Sequence, residues 1–479
     1  MPLTLGEQPV PSSPLAAKDR SSDPSSWTGK TIVMLVTNEG LSDPRVLRSV
    51  QAALRAKFVV HLVCRALPKE KENEIVLPGT EVHRVASLYG RRLLKKLFSR
   101  RQKDLAVSGS QDQAMPLGTA VSRVPRVPGM SLVRRLLARR KRDSDDRPSF
   151  WLRPWELWIL GGITWFNLQA VRQMWRLPAA LYHANDLDAL PAGVILSRWN
   201  RVPLLYDAHE LFSAQFSGSS RQFRGILFWL EHWLIRSAHK VVTVNHSIAE
   251  TLAEWHRVPL PTVVMNCPFA VEAVRPKPSS FGEVRVGKAR VIFQGVYVRD
   301  RGLEELILSA AWYDSAELYL RGYGELEPSL RALVRARGLE GRVHFLPPAH
   351  PARLVESLAG FDVGVVPYRP TTLNNRLCLP NKVFEYLQAG LALAVSALPE
   401  LRRLMNVTGA GELFDPDSPE DIARAINALT RDAGRLQAIK ARARAAGARF
   451  TWEAQGEPQL LACYRELVGV SSRGRGGLH

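Results

Sequence analysis

The chain has 479 residues, four cysteines and a formal net charge of +20 at pH 7. Its hydrophobic fraction of 46% and charged fraction of 23% are ordinary for globular proteins, which excludes full disorder, collagen-like repeats and a multispanning membrane protein. The length predicts more than one domain. Four cysteines without a C-x-x-C pair favour reduced thiols over a disulfide framework or a zinc site.

The positive charge is concentrated in one segment. Residues 91–147 hold 16 Lys and Arg against five Asp and Glu, a net charge of +11. The charge is therefore a property of this segment rather than of the fold. Residues 1–27 are rich in Pro and Ser and lack the apolar run of a signal peptide. We expect them to form a disordered tail on a cytoplasmic protein.

Short apolar runs alternate with helix-length segments from residue 31 onward. Runs such as 31–37 (TIVMLVT) and 58–64 (FVVHLVC) are typical of parallel strands covered by helices on both faces. The alternation breaks after residue 266 and restarts at 289, which predicts an α/β protein with two doubly wound, Rossmann-like domains facing a cleft. The predicted division is a tail at 1–27, an N-terminal domain at 28–266, a linker at 267–288, a C-terminal domain at 289–448, and a terminal amphipathic helix with a flexible tail at 449–479.

The N-terminal domain is expected to contain a basic, partly disordered insertion at 91–150, followed by a Trp-rich helix at 151–175. Five of the twelve tryptophans lie in that helix, and Trp151, Trp155, Trp158 and Trp165 share one face of it. Its charge-free run of 15 residues is too short to span a bilayer. Basic helices beside this row of tryptophans favour peripheral contact with an anionic membrane. Packing of the tryptophan row on the sheet is the alternative.

Candidate residues of the first domain follow its strands, because the site of a doubly wound fold lies at the carboxyl ends of the strands. Gly40 permits close backbone approach, Asp43 can cap the next helix, and Arg45 lies in the first turn of that helix. His209 follows another strand, where an imidazole can stabilise developing charge. Asp186 ends the preceding strand in the same way.

Two D-x-D sequences, at 186–188 and 415–417, resemble pairs that hold a divalent cation bound to diphosphate oxygens. Three letters are a weak signal, and a helix cap at Asp188 explains the first pair more simply. We therefore predict a site without metal and without a cofactor.

The loops that follow strands of the second domain are suited to phosphate. Gly295 leads into a loop with Arg299 and Arg301 and then into a helix, so backbone N–H groups and guanidinium groups can converge on an anion. Gly322 ends the next strand similarly.

The segment 379–390 (LPNKVFEYLQAG) carries the strongest signal. Asn381 marks the start of its helix, and Lys382 and Glu385 lie three residues apart on one face. Lys382 can bind the phosphates of a nucleotide sugar and Glu385 its ribose hydroxyls. A surface ion pair between the two is the alternative.

Together these motifs resemble a known family. The chain contains, in family order, SDPRV, HANDLDALPAG, PLLYDAHELF, VVTVNHSIAETL, an NCP linker, RGLEELI, LPNKVFEYLQAG, ALPEL and TWEAQ…CYREL. It is similar to retaining glycosyltransferases of the GT-B fold, in the large bacterial cell-surface polysaccharide group (family 4-like, glycosyl transferases group 1). The resemblance implies that the terminal helix crosses back to pack on the N-terminal domain.

The resemblance also implies roles for four residues. His209 would be catalytic, near the transferred sugar, while Arg301 and Lys382 would bind the donor diphosphate and Glu385 the donor ribose. Further contacts with donor or acceptor are expected from the other residues named above: Gly40, Asp43, Arg45, Asp186, Gly295, Arg299, Gly322 and Asn381.

Two positions depart from the family pattern. Leu377 stands where many members have a first Glu that touches the donor sugar, which leaves that contact to backbone atoms or to Asn375. Gly295 stands where some members have a second Arg, for which Arg299 can substitute.

The sequence thus predicts a retaining, metal-independent glycosyltransferase that moves a hexosyl or related group from a nucleotide-diphosphate sugar to a hydroxyl acceptor. We expect the acceptor to be a lipid-linked or membrane-proximal glycan in cell-surface polysaccharide synthesis, and the enzyme to be peripheral at the inner face of the membrane. No nucleic-acid partner is expected. The alternatives are a nucleotide-sugar epimerase on the same fold and a non-catalytic, membrane-associated scaffold of transferase ancestry.

Overall fold

The computed structural model describes residues 27–38, 40, 43–66, 78–86, 152–216, 218–271, 288–350 and 353–473. The predicted tail up to residue 26, the basic insertion at 91–150, Trp151 and most of the predicted linker lie outside these ranges.

The first sheet has seven parallel strands in the order β3-β2-β1-β4-β5-β6-β7. Most of its strands are almost entirely buried, because helices cover both faces. The strands are β1 Thr31–Leu35, β2 Val59–Arg65, β3 Thr80–Val85, β4 Leu181–Asn185, β5 Leu204–Ala208, β6 Lys240–Thr243 and β7 Thr262–Val263.

Within described residues 44–256, five α-helices pack on this sheet, and the terminal helix described below joins them. Helices α2, α3, α4 and α5 share one apolar cluster with one face of the sheet, and α1 packs on the other face. The helices are α1 Pro44–Arg55, α2 Pro154–Met174, α3 Leu190–Asn200, α4 Arg221–Leu234 and α5 His246–His256.

The second sheet has six parallel strands in the order β10-β9-β8-β11-β12-β13 and a single core of its own. Its strands are β8 Ala289–Val296, β9 Ala316–Tyr323, β10 Val343–Leu346, β11 Val363–Val366, β12 Ala392–Ser396 and β13 Gly411–Phe414. Its helices are α6 Leu303–Ser309, α7 Glu327–Ala336, α8 Leu373–Leu377, α9 Asn381–Gln388, α10 Pro399–Thr408, α11 Pro419–Thr430 and α12 Ala433–Arg449. The predicted pair of doubly wound α/β sheets is confirmed.

The terminal helix α13, Glu457–Arg473, returns to the first sheet. Its Tyr464 is fully buried there and hydrogen-bonds the ring of His183 on β4 at 2.7 Å. At the surface, Glu457 pairs with Arg55 of α1, and Glu466 lies 2.7 Å from Lys240 of β6. The predicted crossing of the last helix is therefore confirmed.

Two features of the first domain add to the sequence-based picture. Trp27, the last residue of the predicted tail, is buried in the cluster shared by α1 and α13. In α2, the predicted row of tryptophans turns toward the protein: Trp155 packs edge-on against Phe223 at 5.7 Å, and the indole N–H of Trp165 donates to the carbonyl of Ala86. This is the alternative in which the tryptophan row packs on the domain. Among the described residues, no helix is both long and apolar enough to cross a bilayer.

Candidate active site

His209 directly follows β5, at the carboxyl edge of the first sheet. Its Nδ1 lies 3.2 Å from Asp186 Oδ2, its Nε2 lies 3.6 Å from Asp207 Oδ2, and its side chain is 14% exposed. Burial lowers the pKa of His209, but the charges of Asp186 and Asp207 outweigh burial and raise that pKa well above its ordinary value. An imidazolium at this edge is therefore favoured at neutral pH.

Asp207 anchors a buried charge network behind His209. Arg45 approaches both carboxylate oxygens of Asp207 at 2.8 Å, in a bidentate pair, and the Nε2 of His183 lies 3.6 Å from Asp207 Oδ2. Burial raises the pKa of Asp207, but the charges of Arg45 and His209 hold that pKa well below its usual range. The network fixes His209 in place.

Of the predicted contact residues near the start of α1, Arg45 belongs to this network. Arg45 is only 1% exposed, and its third contact is the carbonyl of Val264 at 2.7 Å, so its guanidinium is bound within the protein. Asp43 caps α1, as predicted, by accepting from the backbone N–H groups of Arg45 and Val46. Gly40 has a positive φ of 73° and packs against Cys64, where a side chain would crowd the neighbouring strand.

Asp186 adopts a left-handed backbone with φ of 61° and accepts the backbone N–H of His209 at 2.9 Å. Asp188, by contrast, does not cap α3, because the N-cap position belongs to Ala189; that prediction is wrong. The Asp188 carboxylate instead accepts a hydrogen bond from the Thr37 hydroxyl. Burial and the neighbouring Asp186 raise the pKa of Asp188 to about 7.

Asp188 borders a cavity that the sequence did not reveal. The cavity has a volume of about 180 Å³ and lies between α2 and the carboxyl ends of β1, β2 and β3. Its lining is mostly apolar and includes Trp158 and Trp165, and its polar side chains are Thr37, Arg65 and Asp188. Only the return of α2 to the sheet edge creates this cavity, so no local motif encodes it.

The second domain contributes a pair of cations around one aromatic ring. The guanidinium of Arg301 lies 4.1 Å from the ring centre of Tyr368, and the ammonium of Lys382 lies 4.8 Å from the same ring and 4.2 Å from the ring of Phe293. Within the described residues, neither cation has a carboxylate within 4 Å. Both charges are therefore held on aromatic faces. Tyr368 itself was missed, although it follows β11 at the carboxyl edge where the other candidates were sought.

Gly295 and Gly322 let these parts approach closely. Gly295 has φ of 153°, and a Cβ there would stand 2.7 Å from the Lys382 ammonium. Gly322 has φ of 154°, and a Cβ there would strike the carbonyl of Gly295. The absence of side chains at both positions is thus a steric requirement, and Gly295 gives Lys382 the space that an arginine would occupy.

Glu385 lies on the same helix, α9, as Lys382. It is half-buried, and the amide of Gln294 approaches its carboxylate at 3.5 Å. Burial raises the pKa of Glu385, against the opposing charge of Lys382. Asn381 begins α9, and Arg299 is exposed on its loop, unlike Arg301.

The two halves of the site meet through α8. Asn374 donates to Glu210, beside His209, at 2.5 Å and accepts the backbone N–H of Leu211. The carbonyl of Leu377 accepts from Asn245, and its side chain packs against the first-domain core. The residue that replaces the family's first Glu therefore serves the contact between domains. Burial, together with the nearby charge of Asp186, raises the pKa of Glu210 to about 7.

Family models match both domains. The model described as Glycosyltransferase Family 4 matches residues 133–271, and the model described as Glycosyl transferases group 1 matches residues 289–432. No match was found among curated protein sequences.

Solved structures share the whole architecture. Sucrose-phosphate synthase from Thermosynechococcus elongatus superposes with a TM-score of 0.65 at 16% identity, covering 92% of this chain and 100% of that chain. Anabaena Alr3699/HepE in complex with UDP and glucose gives a TM-score of 0.60 at 16% identity, with 91% and 100% covered. The lipopolysaccharide outer core galactosyltransferase WaaB gives 0.53 at 13% identity, with 92% and 99% covered. At these identities the likeness shows the fold.

The paired sheets, the returning terminal helix and these matches define a glycosyltransferase of the GT-B fold. Within that class, the chain belongs to the group 1, family 4-like glycosyltransferases.

Proposed function

We propose that this glycosyltransferase takes a sugar from a nucleotide-diphosphate donor and transfers it, with retention at the anomeric carbon, to a hydroxyl acceptor. The observation that carries the proposal is the convergence of Arg301 and Lys382 on Tyr368, beside Glu385, at the carboxyl edge of the second sheet. Two cations that have no carboxylate partner in the described part of the chain are suited to a diphosphate. Glu385, on the same face of α9 as Lys382, is placed for the ribose hydroxyls.

The reaction builds negative charge on the leaving diphosphate. Arg301 and Lys382 stabilise that charge in the transition state, since both are already oriented by their aromatic neighbours. This supports transfer without a metal ion, because the two side chains supply the positive charge that a divalent cation would bring.

His209 acts on the sugar itself. Its raised pKa keeps the imidazole charged at neutral pH, so a positive charge lies near the reacting carbon and the leaving diphosphate. Asp186 holds the ring by its Nδ1 and also accepts the backbone N–H of the same residue. Positioning of this kind places the charged ring before the substrate arrives.

The acceptor occupies the cavity beside Asp188. Indole faces of Trp158 and Trp165 suit the apolar face of a sugar ring, while Thr37 and Asp188 offer hydrogen bonds to its hydroxyls. We propose a lipid-linked or membrane-proximal glycan in cell-surface polysaccharide synthesis, with the enzyme peripheral at the inner face of the membrane. The shared fold with a lipopolysaccharide galactosyltransferase and the basic segment 91–150 support this choice.

A binding experiment tests the donor site. Nucleoside diphosphates are screened by thermal shift, and the best one is compared with its 2′,3′-dideoxy analogue in the wild type and in Glu385→Ala. At a hundredfold excess over Kd, the ligand should stabilise the wild type by about 2.7 kcal/mol. We expect the wild type to prefer the intact ribose and Glu385→Ala to bind both equally. A preference that survives in Glu385→Ala contradicts the ribose site, and no shift with any nucleoside diphosphate contradicts the donor class.

Chelation tests the metal-free mechanism. Turnover should be unchanged by EDTA. Within the described residues, His61, Glu81 and His83 form the one group of three side chains with metal-ligand spacing, on β2 and β3. The variant His83→Ala, which lacks one side chain of this group, is therefore the control. If EDTA lowers turnover in both the wild type and His83→Ala, and Mg²⁺ restores it, the metal-free mechanism is contradicted.

A further inference from the structure

The outward surface of α2, α3 and α4 is apolar and aromatic. Its largest side chains are strongly exposed: Trp199 by 70%, Trp233 by 68% and Trp229 by 56%. On α4, Ile226, Trp229 and Trp233 follow the i, i+3, i+7 spacing of one helix face. The other exposed apolar residues on the three helices are Leu157, Leu168 and Trp175 on α2 and Ile195 on α3. We call this surface the Trp face.

The three helices that carry the Trp face lie side by side. Helix α2 packs beside α3, and α3 beside α4, over the same side of the first sheet. The rings of Trp175 at the end of α2 and Trp199 at the end of α3 are 6.4 Å apart. Arg198 of α3 bonds Ser237 just beyond α4 at 3.0 Å, which joins the third helix to the other two.

Within residues 152–236, which carry the Trp face, the exposed charged residues have one sign. Residues 152–236 contain eight arginines and no lysine, and six of those arginines are exposed: Arg172, Arg176, Arg198, Arg201, Arg221 and Arg236. The six acidic residues of the same stretch are elsewhere. Glu156, Asp207 and Glu231 are buried, and Asp186, Asp188 and Glu210 line the cleft edge, none of them fully exposed.

We propose that the Trp face is a docking surface for an anionic lipid bilayer. Tryptophan is favoured at the level of the lipid headgroups, and arginine around it attracts anionic lipids. A second copy of the chain is a poorer occupant, because two such faces would bring together the exposed arginines of residues 152–236, a stretch without an exposed carboxylate to pair with them. The functional role of this docking rests on the proposed membrane-proximal acceptor. The residues that contact the membrane are then the exposed tryptophans of this surface rather than the inward-facing Trp155 and Trp165.

Vesicle sedimentation with the full chain tests the proposal. The vesicles are phosphatidylcholine alone or with about 30% phosphatidylglycerol, an anionic lipid. The triple variant Trp199→Ala, Trp229→Ala, Trp233→Ala removes exposed rings and should leave the fold intact. We expect wild-type binding to the anionic vesicles, falling about tenfold or more in the triple variant, because binding strength scales with the apolar area inserted.

A matched variant controls for the loss of a ring as such. Trp312→Ala removes a tryptophan that is 49% exposed on the second domain, and it should bind vesicles like the wild type. For charge, Arg172→Glu with Arg176→Glu should weaken binding, whereas Arg335→Glu with Arg337→Glu, exposed around the end of α7, should not. Added salt should weaken wild-type binding.

Two results would contradict the proposed membrane docking. Wild-type binding that persists in the triple variant shows that another segment, such as 91–150, is the anchor, and it overturns the proposal. So does a change from dimer to monomer in light scattering without loss of vesicle binding, which assigns the face to a second copy. Thermal shift with the nucleoside diphosphate is measured on the same variants. It should be unchanged, so failure of docking and failure of the donor site are separate outcomes.

Discussion

The two sides of the cleft handle charge in opposite ways. On the first domain, Arg45, His183 and His209 all lie within 3.6 Å of Asp207 and form a buried network with it. On the second domain, Arg301 and Lys382 rest on aromatic rings and lack a carboxylate partner among the described residues. The first arrangement positions one side chain, whereas the second keeps two cations available for an incoming polyanion. Charged groups that are fully paired within the protein hold a side chain in one position, whereas cations without a carboxylate partner are available to bind an anionic ligand.

The largest expected effect concerns the buried charge network of the first domain. Arg45→Met leaves the Asp207 carboxylate buried without its bidentate partner, so we expect the free energy of unfolding to fall by about 3–5 kcal/mol. Urea unfolding followed by circular dichroism measures it. The control is Arg55→Met on the same helix, whose partner Glu457 lies at the surface, and which should lose at most about 1 kcal/mol. Equal losses in the two variants would show that the buried network has no special weight.

The next largest effect concerns the two cations of the second domain. Arg301→Ala removes a cation from the leaving group, and we expect kcat to fall about 10²–10³-fold, as for the loss of one oxyanion donor. Arg299→Ala is the comparison, because that side chain is exposed on the same loop; its effect should stay below about tenfold. Steady-state kinetics decides. A larger effect at Arg299 would move the phosphate contact to that residue.

A smaller effect is expected from a methyl group. Gly295→Ala places a Cβ 2.7 Å from the Lys382 ammonium and should displace it, which weakens nucleoside diphosphate binding about tenfold, the order of one charge-assisted hydrogen bond. Calorimetric titration measures the change. Gly225→Ala on α4, where a Cβ meets no atom within 4 Å, should bind normally. Unaltered affinity in Gly295→Ala would mean that Lys382 does not contact the donor from its present position.

The smallest effect is a pH dependence of stability. Asp186 and Asp207 raise the pKa of His209, so its contribution to stability is fully present below its unfolded pKa of about 6.5 and is lost as the pH rises through the higher folded pKa. The stability gap between wild type and His209→Gln should therefore shrink between neutral and alkaline pH. Urea unfolding at a series of pH values measures it, and a gap that stays constant or grows would show that His209 is not paired with these carboxylates.

The sequence predicted the strand ends better than the long-range contacts. His209 and Arg301 were singled out because parallel strands deliver their following residues to one edge of the sheet. Lys382 was singled out because it lies at the start of a helix, three residues before Glu385. The Arg45–Asp207 pair was not, since 162 residues separate its members and no local pattern links them. Strand β3 was missed because its residues, TEVHRV, mix polar and apolar types at the edge of the sheet. Helical spacing put Trp155, Trp158 and Trp165 on one face, but only packing showed that this face turns inward.

The bond between Tyr464 and His183 bears on how the enzyme can be recombined. Tyr464 belongs to the last helix, yet it hydrogen-bonds the ring that faces Asp207 in the network behind His209. A chimera that exchanges the second domain at the linker and brings its own terminal helix would therefore replace part of the interior of the first domain. The natural exchange unit is discontinuous: residues 451–473 travel with the first sheet, and the crossover points fall near residues 271 and 450.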